Sequence, residues 1–202
     1  MEALDQNEIA VLLTASRDGD EVARNKLMEL MYPRLRQIAG HLMKSERSGH
    51  TLQPTALANE AFLRLLGGGA IENVRDRTHF CRLGGRVMRQ ILVDWARSRQ
   101  TAIRGGGVPK VPLHEVAPPD EPSQVVPAME GYADVLDLHR VLERLEELDP
   151  LAAQVVDAKI FGGLKDKEVA SEFDISFARM RREWEFAVAW LQKELESPNL
   201  GE

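Results

Sequence analysis

Between residues 105 and 133 the chain carries three consecutive glycines and then prolines 109, 112, 118, 119, 122 and 127, and no helical or strand period survives there. Proline lacks an amide donor and fixes its own backbone, so such a stretch cannot continue a helix or sit inside a sheet. It divides the sequence into two parts, residues 1–104 and 134–202, each of which has apolar side chains at helical spacing. No run of strict alternation suggests a sheet. The expected fold class is therefore all-α, with two small helical domains joined by an extended, mobile linker at 105–133.

In the first part, Asp5 and Glu8 resemble a capping box ahead of Ile9, Leu12 and Leu13. After the RDGD break at 17–20, Asp20 is placed to cap a longer helix with a stripe through Val22, Leu27, Leu30, Met31, Leu35, Ile38 and Leu42. Pro33 lies inside that stripe and predicts a kink or break near Tyr32. Pro54 suits the first turn of a helix carrying Leu57, Ala61, Phe62 and Leu65, which the glycines at 67–69 end. A further helix is expected over roughly 77–103, interrupted only by Gly84-Gly85.

That last helix holds an unusual charge pattern. Residues 74–104 contain eight arginines, no lysine, and only Asp76 and Asp94 in opposition, a net of +6 within a chain of net −6. Arginine's planar fork matches phosphates and base edges, so a helix of this kind can lie along a nucleic acid. The plainer alternative is a solvated helix face. Residues 134–202 carry 9 basic and 16 acidic side chains, a net of −7.

In the second part, DVLDLHRVLERLEEL is one helix stopped by Asp149-Pro150, and LAAQVVDAKIF is a second stopped by Gly162-Gly163. The stretch 164–191 then has helix-turn-helix spacing. Asp166 is placed to cap a short helix whose Val169 and Ala170 point inward, Phe173-Asp174-Ile175 makes the tight turn, and Ser176 caps a long helix. Met180, Trp184, Ala187, Val188 and Leu191 form its buried stripe, leaving Phe177, Arg179, Arg181 and Arg182 outward on the first two turns, where a recognition helix meets base edges. Lys165 and Lys167 add local positive charge. A plain helical hairpin inside a bundle has the same spacing.

Taken together, HTLQPTALANEAFLRLL (50–66), THFCRLGGRVMRQILVDWARSRQTAIRGGG (78–107) and DLHRVLERLEELDPLAAQVVDAKIFGGLKDKEVASEFDIS (137–176) resemble regions 2 and 4 of bacterial extracytoplasmic-function (ECF) sigma factors, in the family's order and over nearly the whole chain. The resemblance implies a dissociable promoter-specificity subunit of RNA polymerase. Residues 1–104 would be region 2, binding the clamp of the core β′ subunit and opening the −10 element. Residues 134–202 would be region 4, binding the flap of the β subunit and reading the −35 element. Carried onto this chain, the core-binding helix is Thr55–Leu66, with Thr55, Glu60, Leu63 and Arg64 as contacts. The −10 set is Asn73, Arg75 and Arg77 from the loop, with Arg82, Arg86, Arg89 and Gln90 on the helix after it. The −35 set is Lys165, Ser176, Phe177, Arg179, Arg181 and Arg182. Phe80 and Trp95 are the aromatics near the arginine block, and Trp95 is expected in the core.

Two departures from the family pattern stand out. The core-binding helix opens with Gln53-Pro54-Thr55-Ala56, without the usual carboxylates. Phosphorylation of Thr55 would supply negative charge there, whereas the simpler reading has Thr55 capping the turn. Arg179-Met180 replaces a small polar residue and valine, which points to a −35 preference shifted toward guanine.

Other functions find little support. The single cysteine, Cys81, allows no intramolecular disulfide, and His79-Phe80-Cys81 has no second ligand pair at zinc spacing. No metal, cofactor or enzymatic motif is expected. No run approaches the ~18 apolar residues of a membrane span and no signal peptide is evident, so a cytoplasmic protein is expected. Its partners would be core polymerase, promoter DNA and, as regulators in this group, an anti-sigma factor or a Ser/Thr kinase. A free-standing helix-turn-helix regulator is the alternative, and the 50–104 block, for which it has no use, separates the two.

Overall fold

The computed structural model describes residues 6–43, 52–67, 73–102, 110–112 and 132–196. Asp5, the proposed start of the first capping box, lies outside them. Helix α1 (Gln6–Arg17) turns back onto α2 (Glu21–Leu42) through Gly19, whose φ of +89° is a conformation that glycine adopts without strain. Asp20 caps α2, its carboxylate accepting from the amides of Val22 and Ala23 at 2.8 and 3.1 Å.

Helix α2 runs through Pro33 without a break, correcting the expectation of an interruption at Tyr32. Leu27 and Met31 on one side of the proline, and Leu35 and Ile38 on the other, are all buried at 1% exposure or less. Burial of side chains this size stabilises by roughly 1.5–3 kcal/mol each. Tertiary packing therefore holds both halves of the helix in line despite the lost backbone hydrogen bond.

Helix α3 (Pro54–Gly67) adds Leu57, Ala61, Phe62 and Leu65 to this core, and α4 (Arg77–Ala102) closes it with Phe80, Met88 and Leu92. Glycines 84 and 85 do not interrupt α4, although each weakens a helix interior by ~1 kcal/mol relative to alanine. A methyl group added at Gly84 would lie 2.6 Å from Leu35 Cδ2. Gly84 is thus a point where the Leu35 side chain of α2 comes directly against the backbone of α4.

The 105–133 stretch is not wholly irregular. Strand β1 (Lys110–Pro112) pairs antiparallel with β2 (Tyr132–Asp134), in the register Lys110 with Asp134 and Pro112 with Tyr132. Asp134 ends this ladder and caps α5 (Val135–Leu148), accepting from the amide of Leu136 at 2.8 Å. Asp149 then caps α6 (Pro150–Val156), with Pro150 in the first turn where its missing donor costs nothing.

From Asp157 to Phe161 the helix widens into a π turn, closed by the Gly162 amide on the Asp157 carbonyl at 3.0 Å. The short helix α7 (Asp166–Glu172) and the long helix α8 (Phe177–Glu196) follow. Asp174, at φ +52°, makes the turn between them, a conformation that aspartate tolerates better than most residues. The stripe Met180, Trp184, Ala187, Val188 and Leu191 is buried as the periodicity requires. The fold is all-α apart from the small ladder, and α4 packs on both α5 and the π turn, so the two helical halves share an interface. Replacing Leu35 with Ala should lower the unfolding free energy by about 2–5 kcal/mol, whereas the exposed Val22→Ala should change it by less than about 0.5 kcal/mol. Urea unfolding followed by circular dichroism measures both.

Candidate nucleic-acid and protein-docking surfaces

The first surface lies between α2 and α3. Met28, Glu29, Tyr32, Asn59, Phe62 and Leu63 line a shallow groove of about 390 Å³. Tyr32 donates its hydroxyl hydrogen bond to Asn59 and meets the Phe62 ring edge-on, centroids 6.1 Å apart, which fixes the groove's wall. Leu63 is 66% exposed at its rim. Glu60 and Arg64 pair at 2.7 Å one turn apart, and Arg64 reaches Asp94 of α4 at 3.4 Å. The helix begins at Pro54 after Gln53, so Thr55 stands exposed within the first turn and not at the capping position.

The second surface is the arginine block, and its side chains do not face solvent alone. Arg75 and Arg82 converge on Glu172 at 3.0 and 2.8 Å. Arg77 faces Glu168 at 3.6 Å, while Arg89 and Arg86 lie 3.3 and 4.0 Å from Asp157. Arg82 also stacks over Phe173 and Arg89 over Phe161, each 5.8 Å from the ring centroid. All three acids belong to the C-terminal half. Asn73 and Gln90 are exposed, with Gln90 bonded to Asp94 at 2.9 Å. Burial pushes the Asp157 carboxyl above its usual range, against the opposing pull of Arg89 and Arg86. Burial likewise lowers the His79 imidazole; its Nδ1 accepts from the Arg75 amide at 3.2 Å, as a neutral ring can.

Phe80 is buried at 1% exposure and cannot stack on a base in this conformation, and Trp95 is half-buried, not a full core residue. Cys81 is buried, and that burial raises its thiol. Among the described residues no group of His, Cys, Asp and Glu is arranged to hold a metal ion.

The third surface is the start of α8. Ser176 accepts from the Arg179 amide at 3.2 Å, the expected cap. Phe177 is 43% exposed, Arg179 and Arg182 are exposed, and Arg181 is partly so. Arg179 and Arg181 reach carboxylates of their own helix, Glu183 at 3.3 Å and Glu185 at 3.8 Å. Lys165 is exposed just before α7.

Beneath this surface lies a fully buried cation. Lys159, in the π turn, pairs with Asp166 and sits 4.7 Å from the Trp184 ring centroid. Asp166 is consequently the first residue of α7 and the partner of Lys159, not its cap. The helix is capped from Lys165, whose amide donates to Glu168 at 2.8 Å.

The chain matches the family model described as ECF sigma factor over residues 6–197. That span takes in all three surfaces. The chain belongs to the ECF sigma factors. No curated protein and no solved structure matches it. The family acts in transcription initiation with RNA polymerase core and promoter DNA as partners, and it is not an enzyme class. No helix among the described residues is long and apolar enough to cross a membrane.

In this sigma factor the residue sets read from the sequence lie on α3, on α4 with the segment before it, and at the start of α8 with Lys165, and Asp94 of α4 takes both Arg64 of the first set and Gln90 of the second. The acids facing the arginine block were not legible: Asp157, Glu168 and Glu172 sit in a strongly acidic segment and look like solvated surface. Gly84-Gly85 in mid-helix was the one local signal of a close approach. Removing one member of the buried ion pair should be worse than replacing its cation. Asp166→Ala removes the carboxylate that pairs with the buried Lys159 and should destabilise by about 3–5 kcal/mol. Lys159→Met, which leaves only the partly exposed carboxylate of Asp166, should lose less in the same thermal unfolding series.

Proposed function

We propose that this sigma factor docks on core polymerase through the α2–α3 groove and reads promoter DNA through two arginine-bearing surfaces. The observation that carries the reading is the groove itself. An apolar trough with Leu63 projecting at its rim and a Glu60–Arg64 pair beside it has the composition of a helix-docking site. A regulator that bound operators without polymerase would have no use for it. The clamp of β′ is the proposed occupant. A second shallow groove at Arg144, Glu147, Leu148, Trp190 and Glu194, with Leu148 60% exposed, is the candidate for the β flap.

Melting a promoter needs no covalent chemistry; unstacked bases are captured while arginines hold the strand backbone. Arg75, Arg77, Arg82, Arg86 and Arg89, with Asn73 and Gln90, are assigned to the −10 strand. Phe177, Arg179, Arg181 and Arg182, with Lys165 and the capping Ser176, are assigned to the −35 duplex, Arg179 favouring guanine through a bidentate contact. The protein works in the cytoplasm, where polymerase is. An anti-sigma factor or a Ser/Thr kinase is the proposed regulator, and Thr55 the proposed site for the kinase.

Run-off transcription with purified core on a library of promoter fragments tests the reading, and transcripts that depend on the added protein are expected. Leu63→Asp should weaken core binding about 30-fold, a hot-spot loss of about 2 kcal/mol, without changing thermal stability. DNA binding without core, and no transcripts with it, would favour the free-standing regulator. For Thr55, a phosphoryl group near the start of α3 would add a charge of about −1.5 to −2. Thr55→Glu should therefore bind core more tightly than Thr55→Ala, and equal affinities of both variants and the wild type would refute the modification.

A further inference from the structure

The three arginines at the start of α8 are not equivalent. Residues one turn apart are neighbours on a helix, and the sequence puts Glu183 after Arg179, Glu185 after Arg181 and Phe186 after Arg182. Arg179 donates from Nε to Glu183 Oε1 at 3.3 Å, whereas Arg181 lies 3.8 Å from Glu185, beyond hydrogen-bond reach. The Glu183 side chain is 18% exposed and that of Arg179 53%, so the carboxylate is the seated end of the pair and the guanidinium the outer end. Glu185, in contrast, is an acid of the open surface, 50% exposed. The backbone under Arg179 is fixed as well, since its amide donates to the Ser176 hydroxyl oxygen at 3.2 Å.

A guanidinium bound through Nε keeps one fork for a ligand, the edge formed by Nη1 and Nη2. That edge carries donors only. It matches O6 and N7, the two acceptors that guanine shows in the major groove, and it meets a donor, the N6 amino group, where adenine stands. An arginine that nothing held would lose side-chain freedom on binding, and it could swing instead to a phosphate, which every sequence offers. The Glu183 carboxylate opposes both losses. It seats the guanidinium in advance, and as a negative charge it repels strand phosphates that come within the Debye length of ~8–10 Å. Residues 134–202 carry a net of −7, so attraction to the backbone is weak in this half and base contacts supply a larger share of its affinity.

We propose that Glu183 is a specificity-determining positioning residue for −35 reading, holding Arg179 by its Nε so that the Nη1–Nη2 edge is presented to a guanine. This rests on the −35 assignment made above. The base pair facing Arg179 is then the one this helix reads most strictly. Arg181, with a loosely placed acid, and Arg182, with Phe186 one turn on, are less constrained and discriminate less.

The test uses the full chain assembled with core polymerase and a library of DNA duplexes with a randomised window, the bound fraction being sequenced. Arg179→Ala locates the base pair that Arg179 reads, as the position where the guanine preference disappears. Affinities for the selected duplex, its guanine-to-adenine variant and a random duplex are then compared. Glu183→Ala should lower the preference for guanine over adenine at that base pair about fivefold, the cost of ordering a free arginine side chain. It should also bind the random duplex about twofold more tightly, since one repelling charge is gone. Glu185→Ala removes the same charge and should give that gain while leaving the preference intact. Glu183→Gln, neutral but still offering Oε1 to Arg179, should recover part of the preference. Equal effects of Glu183→Ala and Glu185→Ala on the preference, or none from either, overturn the positioning role. So does a Glu183→Ala variant that melts lower and weakens binding to every duplex alike, the mark of a merely structural residue. Run-off transcription separates this from the function itself. Transcripts and a selected motif with the preference unmoved by Glu183→Ala refute the positioning alone. A motif that Arg179→Ala leaves unchanged refutes the assignment of Arg179 and the positioning with it, while no motif and no transcripts from the wild type refute the sigma reading as well.

Discussion

Everything in this molecule is arranged around the accessibility of one helix from two sides. On one face α4 completes the N-terminal core, where Gly84 lets Leu35 of α2 come against its backbone. On another it receives the π turn, where Gly85 meets Phe161 and Gly162 directly. Two adjacent glycines are a poor choice for helix propensity. They persist as helix because α4 is held along most of its length by buried contacts, and because side chains at those positions would keep both neighbours away.

That arrangement ties the chemistry of the arginine block to the packing beneath it. Arginines that faced solvent alone would be equally available in every state of the protein. Two of their partners, Glu172 and Asp157, are nearly dry carboxylates, and a buried ion pair depends on geometry far more than an exposed one does. The same logic recurs under α8, where Lys159, Asp166 and Trp184 lock the π turn to α7 and α8. The helix-turn-helix is therefore anchored through the same five-residue turn that supplies Asp157 to the arginines.

The sequence was informative wherever local periodicity decides the outcome. The stripe from Met180 to Leu191, the caps at Asp20 and Ser176, and the start of α3 at Pro54 all follow from 3.6-residue spacing and capping chemistry. Readings failed where tertiary context overrides a local rule. Pro33 does not break α2 because apolar burial on both sides outweighs one missing hydrogen bond. Asp166 does not cap α7 because a buried lysine claims it. The short β ladder escaped notice since prolines erase any alternation in that stretch. The pairing of Arg82 with Glu172 spans 90 residues, and nothing in the spacing of either reveals the other.

The π turn has a consequence for how this chain can vary. A π turn holds one residue more than the α-helical path it replaces, and each residue of an α-helix turns the chain by about 100°. Deleting a single residue between Asp157 and Phe161 would let the segment relax into ordinary α-helix, with little penalty to the helix itself. It would also rotate everything after it, swinging Gly162 off Gly85 and Lys159 away from Trp184. Substitutions on the exposed start of α8 leave this frame undisturbed, whereas length changes in the five residues before Gly162 would break both anchors at once. Homologous chains are thus expected to be free in the letters at the exposed start of α8 and strict in the count of residues leading to it.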